Sequence, residues 1–366
     1  MGAISSIEWT DSSWNPVRAR NIKTGRIGHY CQKVSPGCAN CYAEKFNQQG
    51  RGQVGTKISY VPSALNNNVV LFLDEKTLTE PLRWKKPRKI FVCSMTDAFA
   101  EFVPDEWLDR IFAVMALAPR HTFQVLTKRA ARLPKYINEA TRYRVRKLAE
   151  SMGMKVQTDP FWITADLFRW PLPNVWLGVS AEDQPRLDER VPELLATPAA
   201  VRFLSLEPLL GPIDFNPPAE NAYRMLSRWY GPNGFDESGS QPERTRREGM
   251  FPRVDWVIVG GESGPGARPM HPEWARSIRD QCQAAGVPYF FKQWGAWSPN
   301  APARWPTMAM KGQAALIDQD GWWERYPVKE TERLSNVTTE NVYSVGKKAA
   351  GRELDGRTWS EFPEAR

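Results

Sequence analysis

Six runs of β-branched and aromatic residues recur between residues 88 and 295, and each closes on polar or charged side chains. They are "KIFVCSMTD" (89–97), "TFQVLTKR" (122–129), "VWLGVSAED" (175–183), "VRFLSLEP" (201–208), "DWVIVGGESG" (255–264) and "PYFFKQWG" (288–295). Nearly unbroken apolar character is what strands buried on both faces of a parallel sheet require. The intervals carry helical periodicity. Residues 104–119 place Trp107, Ile111, Met115 and Ala118 on one stripe behind Pro104. Residues 184–197 repeat Leu187, Val191, Leu194 and Leu195, with Pro192 as an interruption. Residues 271–286 carry Trp274, Ile278, Cys282 and Ala285, with Pro272 at the start and Gly286 as a stop signal. Strands alternating with helices predict right-handed βαβ units. Counting "SIEWT" (6–10) as a first strand, the pattern predicts an α/β fold of the partial or full TIM-like barrel type, although a doubly wound sheet shares its grammar.

In such folds the working residues lie at the carboxyl ends of strands and in the loops that follow. Here those positions hold Ser94 and Asp97; Thr127, Lys128 and Arg129; Ser180, Glu182 and Asp183; Ser205 and Glu207; Gly260, Gly261 and Glu262; Lys292 and Gln293. The expected organisation is a barrel-like domain over 1–295, with a Pro-, Gly- and charge-rich insertion at 216–253. A C-terminal appendage over 296–366 has no core of its own that the sequence reveals.

Composition narrows the class. Hydrophobic content of 42% and charged content of 25% suit a globular chain. No apolar run approaches the length needed to span a bilayer, and the first residues carry no signal-peptide pattern, so the reading is a cytoplasmic protein without membrane partners. A net charge of +8 suits a polyanionic partner, nucleic acid among them. The positive charge reads as scattered, with its densest stretch in "ATRYRVRKLAE" (140–150), which serves equally as a solvated helix face. The sixteen tryptophans read first as core and rim, and second as base-stacking surfaces.

Three of the five cysteines, Cys31, Cys38 and Cys41, fall in "CQKVSPGCANCYAEKF" with C-x6-C-x2-C spacing. Clustered thiols without a disulfide framework point to a metal. Three readings stay open: a 4Fe-4S cluster bound through three of its irons, a zinc site completed by His29, or reduced thiols without metal. Pro36 and Gly37 provide the turn that brings Cys31 back towards the other two. Cys282 reads as a core residue on its helical stripe, and Cys93 as core or as a further ligand or reactive thiol at a strand end. His121 and His271 read as structural, His271 at a helix start.

The segments "EWTDSSWNP", "KVSPGCANCYAE", "FVCSMTDAFAEFVP", "FQVLTKR", "NVWLGVSAEDQ", "FLSLEPLLGP", "VIVGGESGPGARPMHPEW", "GVPYFFKQWG" and "GKKAAGRELDGRTWSEFP" together resemble a phage- and prophage-associated three-cysteine-motif family, itself similar to radical S-adenosylmethionine enzymes. The resemblance covers about residues 7 to 362, omitting 216–253. It implies Cys31, Cys38 and Cys41 as cluster ligands, with S-adenosylmethionine on the open iron. Tyr42, Ser180, Glu207, Gly260, Gly261 and Glu262 would be cofactor contacts. Asp97, Lys128, Glu182 and Lys292 would face a small-molecule or nucleotide substrate. It also implies an electron-donor protein as partner. The first cysteine spacer is longer than the usual C-x3-C-x2-C, and Asn40 stands where an aromatic is usual. The competing class is a zinc-stabilised nucleic-acid-binding phage protein without catalysis.

Overall fold

Each of the six apolar runs becomes a strand, and β10 runs on through the polar Lys292 and Gln293. A computed structural model describes residues 5–50, 55–153, 168–215, 225–226, 253–300, 314–326 and 339–364. Nearly all of the expected insertion at 216–253 lies outside the described residues. The strands are β1 (Ser12–Trp14), β2 (Val17–Asn21), β3 (Ile27–Gly28), β4 (Val69–Leu73), β5 (Lys89–Val92), β6 (Thr122–Thr127), β7 (Val175–Ser180), β8 (Val201–Leu206), β9 (Trp256–Gly260) and β10 (Tyr289–Gln293). The fold is mixed α/β, with a parallel, curled half-barrel sheet of seven strands in the order β1-β5-β6-β7-β8-β9-β10. Every residue of β7 and β9 is buried, as their unbroken apolar character requires.

The first strand differs from expectation. Residues 7–10 form a turn in which the Thr10 amide donates to the Ile7 carbonyl at 3.2 Å, and pairing with β5 starts at Ser12. The apolar residue that made 6–10 look like a strand, Trp9, is instead a core plug against Phe91, with ring centroids 4.7 Å apart. Burial of a large ring satisfies the hydrophobic signal without requiring extended backbone.

The chain divides into two compact units: residues 1–180 with 197–201 and 366, and residues 181–196 with 202–365. In the first, β5 is followed by the helix Asp105–Leu117 and β6 leads on to the helix Glu139–Ser151. Beside them lies a three-stranded antiparallel sheet, β3-β2-β4. Its inner positions, Ala19 and Val69, pack in one apolar cluster with Tyr30, Ala43, Tyr60 and Ala64.

In the second unit the helix Gln184–Ala196 accommodates Pro192 and buries Leu187, Val191, Leu194 and Leu195, the stripe read from the sequence. The helix Pro272–Ala285 ends on Gly286 in the left-handed conformation. Its N-cap is His271, whose Nδ1 accepts from the Glu273 amide at 3.1 Å. An imidazole can accept there only while that nitrogen is unprotonated, and burial lowers the His271 pKa from its ordinary value against the opposing pull of Glu340, Glu273 and Asp318. A depressed pKa means that the unfolded chain takes up the proton first. The cap's contribution is therefore complete above about pH 6.5 and is lost as pH falls towards the folded-state pKa. His271→Asn keeps an acceptor at the cap and is expected to flatten the fall in urea midpoint between pH 7 and pH 5; an unchanged acid limb would refute the assignment.

Residues 297 onward do contain regular structure. Strands β11 (Trp297–Ser298), β12 (Ala314–Asp318), β13 (Trp323–Tyr326) and β14 (Thr339–Ser344) form an antiparallel sheet in the order β11-β14-β12-β13. Ala314 and Tyr343 make a small buried cluster there, with Val345 against it. No helix among the described residues is long and apolar enough to cross a membrane.

Candidate functional site

Within the first unit, the cysteine loop leaves β3 and returns through a single 3-10 turn, Pro36–Cys38, before the helix Tyr42–Gln49. Cys41 is the N-cap of that helix. Cys31 and Cys41 pack against the apolar cluster beneath the β3-β2-β4 sheet, and Cys38 has the Ser35 hydroxyl at 3.8 Å from its sulfur. Burial pushes the Cys31 thiol up to about 12, with Asp97 and Cys41 adding to the rise and Arg129 opposing it. Burial also raises Cys41, against the pull of the Ala43 and Glu44 amides at the helix start; Cys38 adds to the rise. None of the three is fully buried.

The donor set can be tested for fit. Among the described residues no group of three or more His, Cys, Asp and Glu is gathered so as to hold one metal ion. A tetrahedral zinc needs all its sulfurs at about 2.3 Å from a common point, whereas a cluster distributes its thiolates over separate irons and needs them spread. His29 has its Nδ1 3.4 Å from the Val17 carbonyl, and burial holds its pKa down to about 3. Its ring is thus engaged with the backbone of β2. As placed, the three thiols and His29 do not form a ready single-metal site among the described residues, and the His29 ring faces the Val17 carbonyl.

The loop after β5 is fastened to this region. Tyr42 donates to the Ser94 carbonyl, and Tyr60 donates to the Met95 carbonyl at 3.0 Å. Asn15 accepts from the Met95 amide at 3.0 Å. Asp97 is the hub. Its Oδ1 accepts from the Phe99 amide (2.9 Å) and the Thr127 hydroxyl (2.8 Å), and its Oδ2 from the Lys128 amide and Arg129 Nη1 (both 3.0 Å). Arg129 also reaches the Gln32 carbonyl at 3.1 Å and Glu101 at 3.0 Å. Asp97 and Arg129 thereby tie the ends of β5 and β6 to the residue beside Cys31. Asp97 acts here as a positioning residue, and Lys128 contributes its backbone. Cys93, at the end of β5, is buried in the left-handed backbone region with φ 56°. Ser180 closes β7 and is buried.

In the second unit, Glu182 is 0% exposed and pairs with Arg190 at 3.3 Å. Glu207 receives Lys292 at 2.9 Å and the Ser205 hydroxyl at 3.5 Å. Gly260 lies directly under this pair: a Cβ there would come within 2.5 Å of Glu207 Oε1. Gly261 is pressed on the Trp294 carbonyl, which a Cβ would meet at 2.0 Å. Both glycines are therefore accounted for by contacts within the chain. Glu262 is buried and accepts from the Arg268 amide (2.9 Å), Nε (2.9 Å) and Nη2 (2.6 Å).

The two units thus gather different predicted residues: Cys31, Cys38, Cys41, Tyr42, Asp97 and Lys128 in one, and Glu182, Glu207, Gly260, Gly261, Glu262 and Lys292 in the other. The partners that sequence reading missed are Arg190, Arg268, Gln32 and Asn15. Arg190 lies eight residues beyond its carboxylate, on a helix whose periodic signal is apolar.

A family model described as "Protein of unknown function (DUF5131)" matches residues 4–363, so the chain belongs to that family. No curated protein and no solved structure matches it.

Proposed function

We propose that this member of the DUF5131 family is a radical S-adenosylmethionine enzyme in which Cys31, Cys38 and Cys41 hold a 4Fe-4S cluster. The finer reading of the fold goes with it: a barrel of the radical-enzyme type rather than a plain half-barrel sheet. The observation that carries the proposal is one short loop bearing three part-exposed thiols, with Cys31 and Cys41 against the same apolar cluster, Cys38 closing the turn between them, and the nearby imidazole turned to the backbone. When bound, such a cluster supplies reductive cleavage of the sulfonium cofactor to a carbon radical.

The chain's own residues have definable tasks. Cys41 sits at a helix start, where the Ala43 and Glu44 amides offset part of the rise that burial imposes on its thiol. The apolar cluster behind Cys31 and Cys41 keeps water from their inner side. Arg129, through Gln32 and Asp97, fixes the loop that carries Cys31 and adds positive charge beside it. The substrate class offered by the resemblance is a nucleotide or another small molecule, with an electron-donor protein as the source of the reducing electron.

Anaerobic reconstitution with iron and sulfide tests this. The expected result is about four irons per chain with absorbance near about 400 nm. Both should be lost in Cys31→Ala, Cys38→Ala and Cys41→Ala and retained in His29→Ala. Stoichiometric zinc that depends on His29 would overturn it in favour of a structural site.

A further inference from the structure

Formal charge is distributed unevenly along the chain. Residues 1–180 carry a net +11 and residues 181–366 a net −3. Residues 16–73 share in it, with eight basic residues against one acid, Glu44, which is itself paired with Lys33 at 2.7 Å. This segment builds the β3-β2-β4 sheet. Strand alternation turns Ala19 and Val69 inward and leaves Arg20, Ile22 and Val70 outward; Ile22 is 48% exposed and Val70 41%. Arg20 lies opposite Val70 in the register, and its guanidinium sits over the Phe72 ring at 5.4 Å.

The hairpin between β2 and β3 adds Lys23 and Arg26 at its tip. Arg26 donates to the Gly50 and Gly55 carbonyls, and the same Gly50 is flanked by Lys57. Lys57 holds φ 61°, a conformation that glycine adopts without strain. For lysine, whose Cβ is crowded in that region, the conformation is strained.

We propose that the outer face of this sheet, with the adjoining hairpin tip, binds single-stranded nucleic acid. Phosphates are met by Arg20, Lys23, Arg26 and Lys57. Unpaired bases are met by the planar Arg20–Phe72 pair, since guanidinium planes and aromatic rings both stack on bases. A duplex hides its base faces and offers nothing to this pair. The flat alternation of arginine and apolar side chains across adjacent strands therefore favours a single strand over a duplex. The excess of eight cations over one anion favours a polyanion with regularly spaced charge over an acidic protein. The inference is independent of the metal: a chain that takes up no cluster but holds the oligonucleotide supports this proposal and not the preceding one.

The test is fluorescence anisotropy of the purified full chain with a labelled 20-nucleotide single-stranded DNA, its duplex, and labelled polyglutamate, across a potassium chloride series. The single strand is expected to bind most tightly, with log affinity falling by about 0.7 per phosphate contacted for each decade of salt. Arg20→Glu with Lys23→Glu should flatten that slope by about 1.4 while the thermal melt stays at the parent value. Phe72→Ala should weaken the single strand about five-fold or more and leave the slope unchanged. Absence of binding at low salt, or binding that neither variant alters, would overturn the proposal. So would equal affinity for the duplex. Polyglutamate held as tightly as DNA would identify a docking surface for an acidic protein instead, and would also refute it.

Discussion

Replacing Arg129 with alanine is expected to destabilise the protein by about 3–5 kcal/mol, measured as a shift in the urea midpoint at constant slope. Its side chain and that of Asp97 are almost completely buried, and they meet at 3.0 Å. Removing the guanidinium strands a carboxylate away from water, with only the Phe99 and Lys128 amides and the Thr127 hydroxyl to answer it. The second ion pair of Arg129 contributes little, because Glu101 is largely in solvent. Adding Asp97→Asn to Arg129→Ala should therefore recover much of the loss, whereas Glu101→Gln should recover almost none. If the double variant is no better than the single, the damage came from lost packing on Phe102, over which Arg129 also lies.

A loss of similar size, about 3–5 kcal/mol, is expected for Arg190→Ala in the second unit. Glu182 is wholly enclosed and Arg190 almost so. Glu182→Gln removes the charge while keeping a hydrogen-bonding amide, and is expected to cost distinctly less than Arg190→Ala. Denaturation of the two single variants and the pair gives the coupling directly. Near-additive losses would show that the two groups do not depend on one another. This experiment also bears on the role offered for Glu182 by resemblance, because a carboxylate held by a buried arginine serves first to fasten the segment after β7.

Six of the seven parallel strands, and three of the four long helices among the described residues, were legible because their signals are strong and local. An unbroken apolar run such as "WVIVG" has one economical fate, and the 184–197 stripe survives Pro192 because its buried side is intact. The short antiparallel pieces were not legible. Strand β2 reads "VRARN", in which arginines occupy the outer positions, and β3 is two residues long. The pairing of β2 with β4 joins positions fifty residues apart, such as Arg20 with Val70. The charge asymmetry has no local signature for a related reason. Its basic residues are spaced along strands and turns rather than bunched, and only folding brings Arg20, Arg26 and Lys57 to one region. At the candidate site, the cysteine loop was visible from composition alone. The strand-end carboxylates were visible as residues, but the arginines that hold them were not, since an ion pair leaves no periodic trace.

The lysine at the end of β10 already has a carboxylate in its grip, and that carboxylate rests on a glycine with no side chain to lift it away. An anionic guest arriving at Lys292 cannot simply add to a vacant cation; it must evict Glu207. Entry there is an exchange, in which one attraction replaces another and the evicted group must find a new host. A neutral or positively charged guest faces the opposite choice and can approach Glu207 only by loosening the same grip.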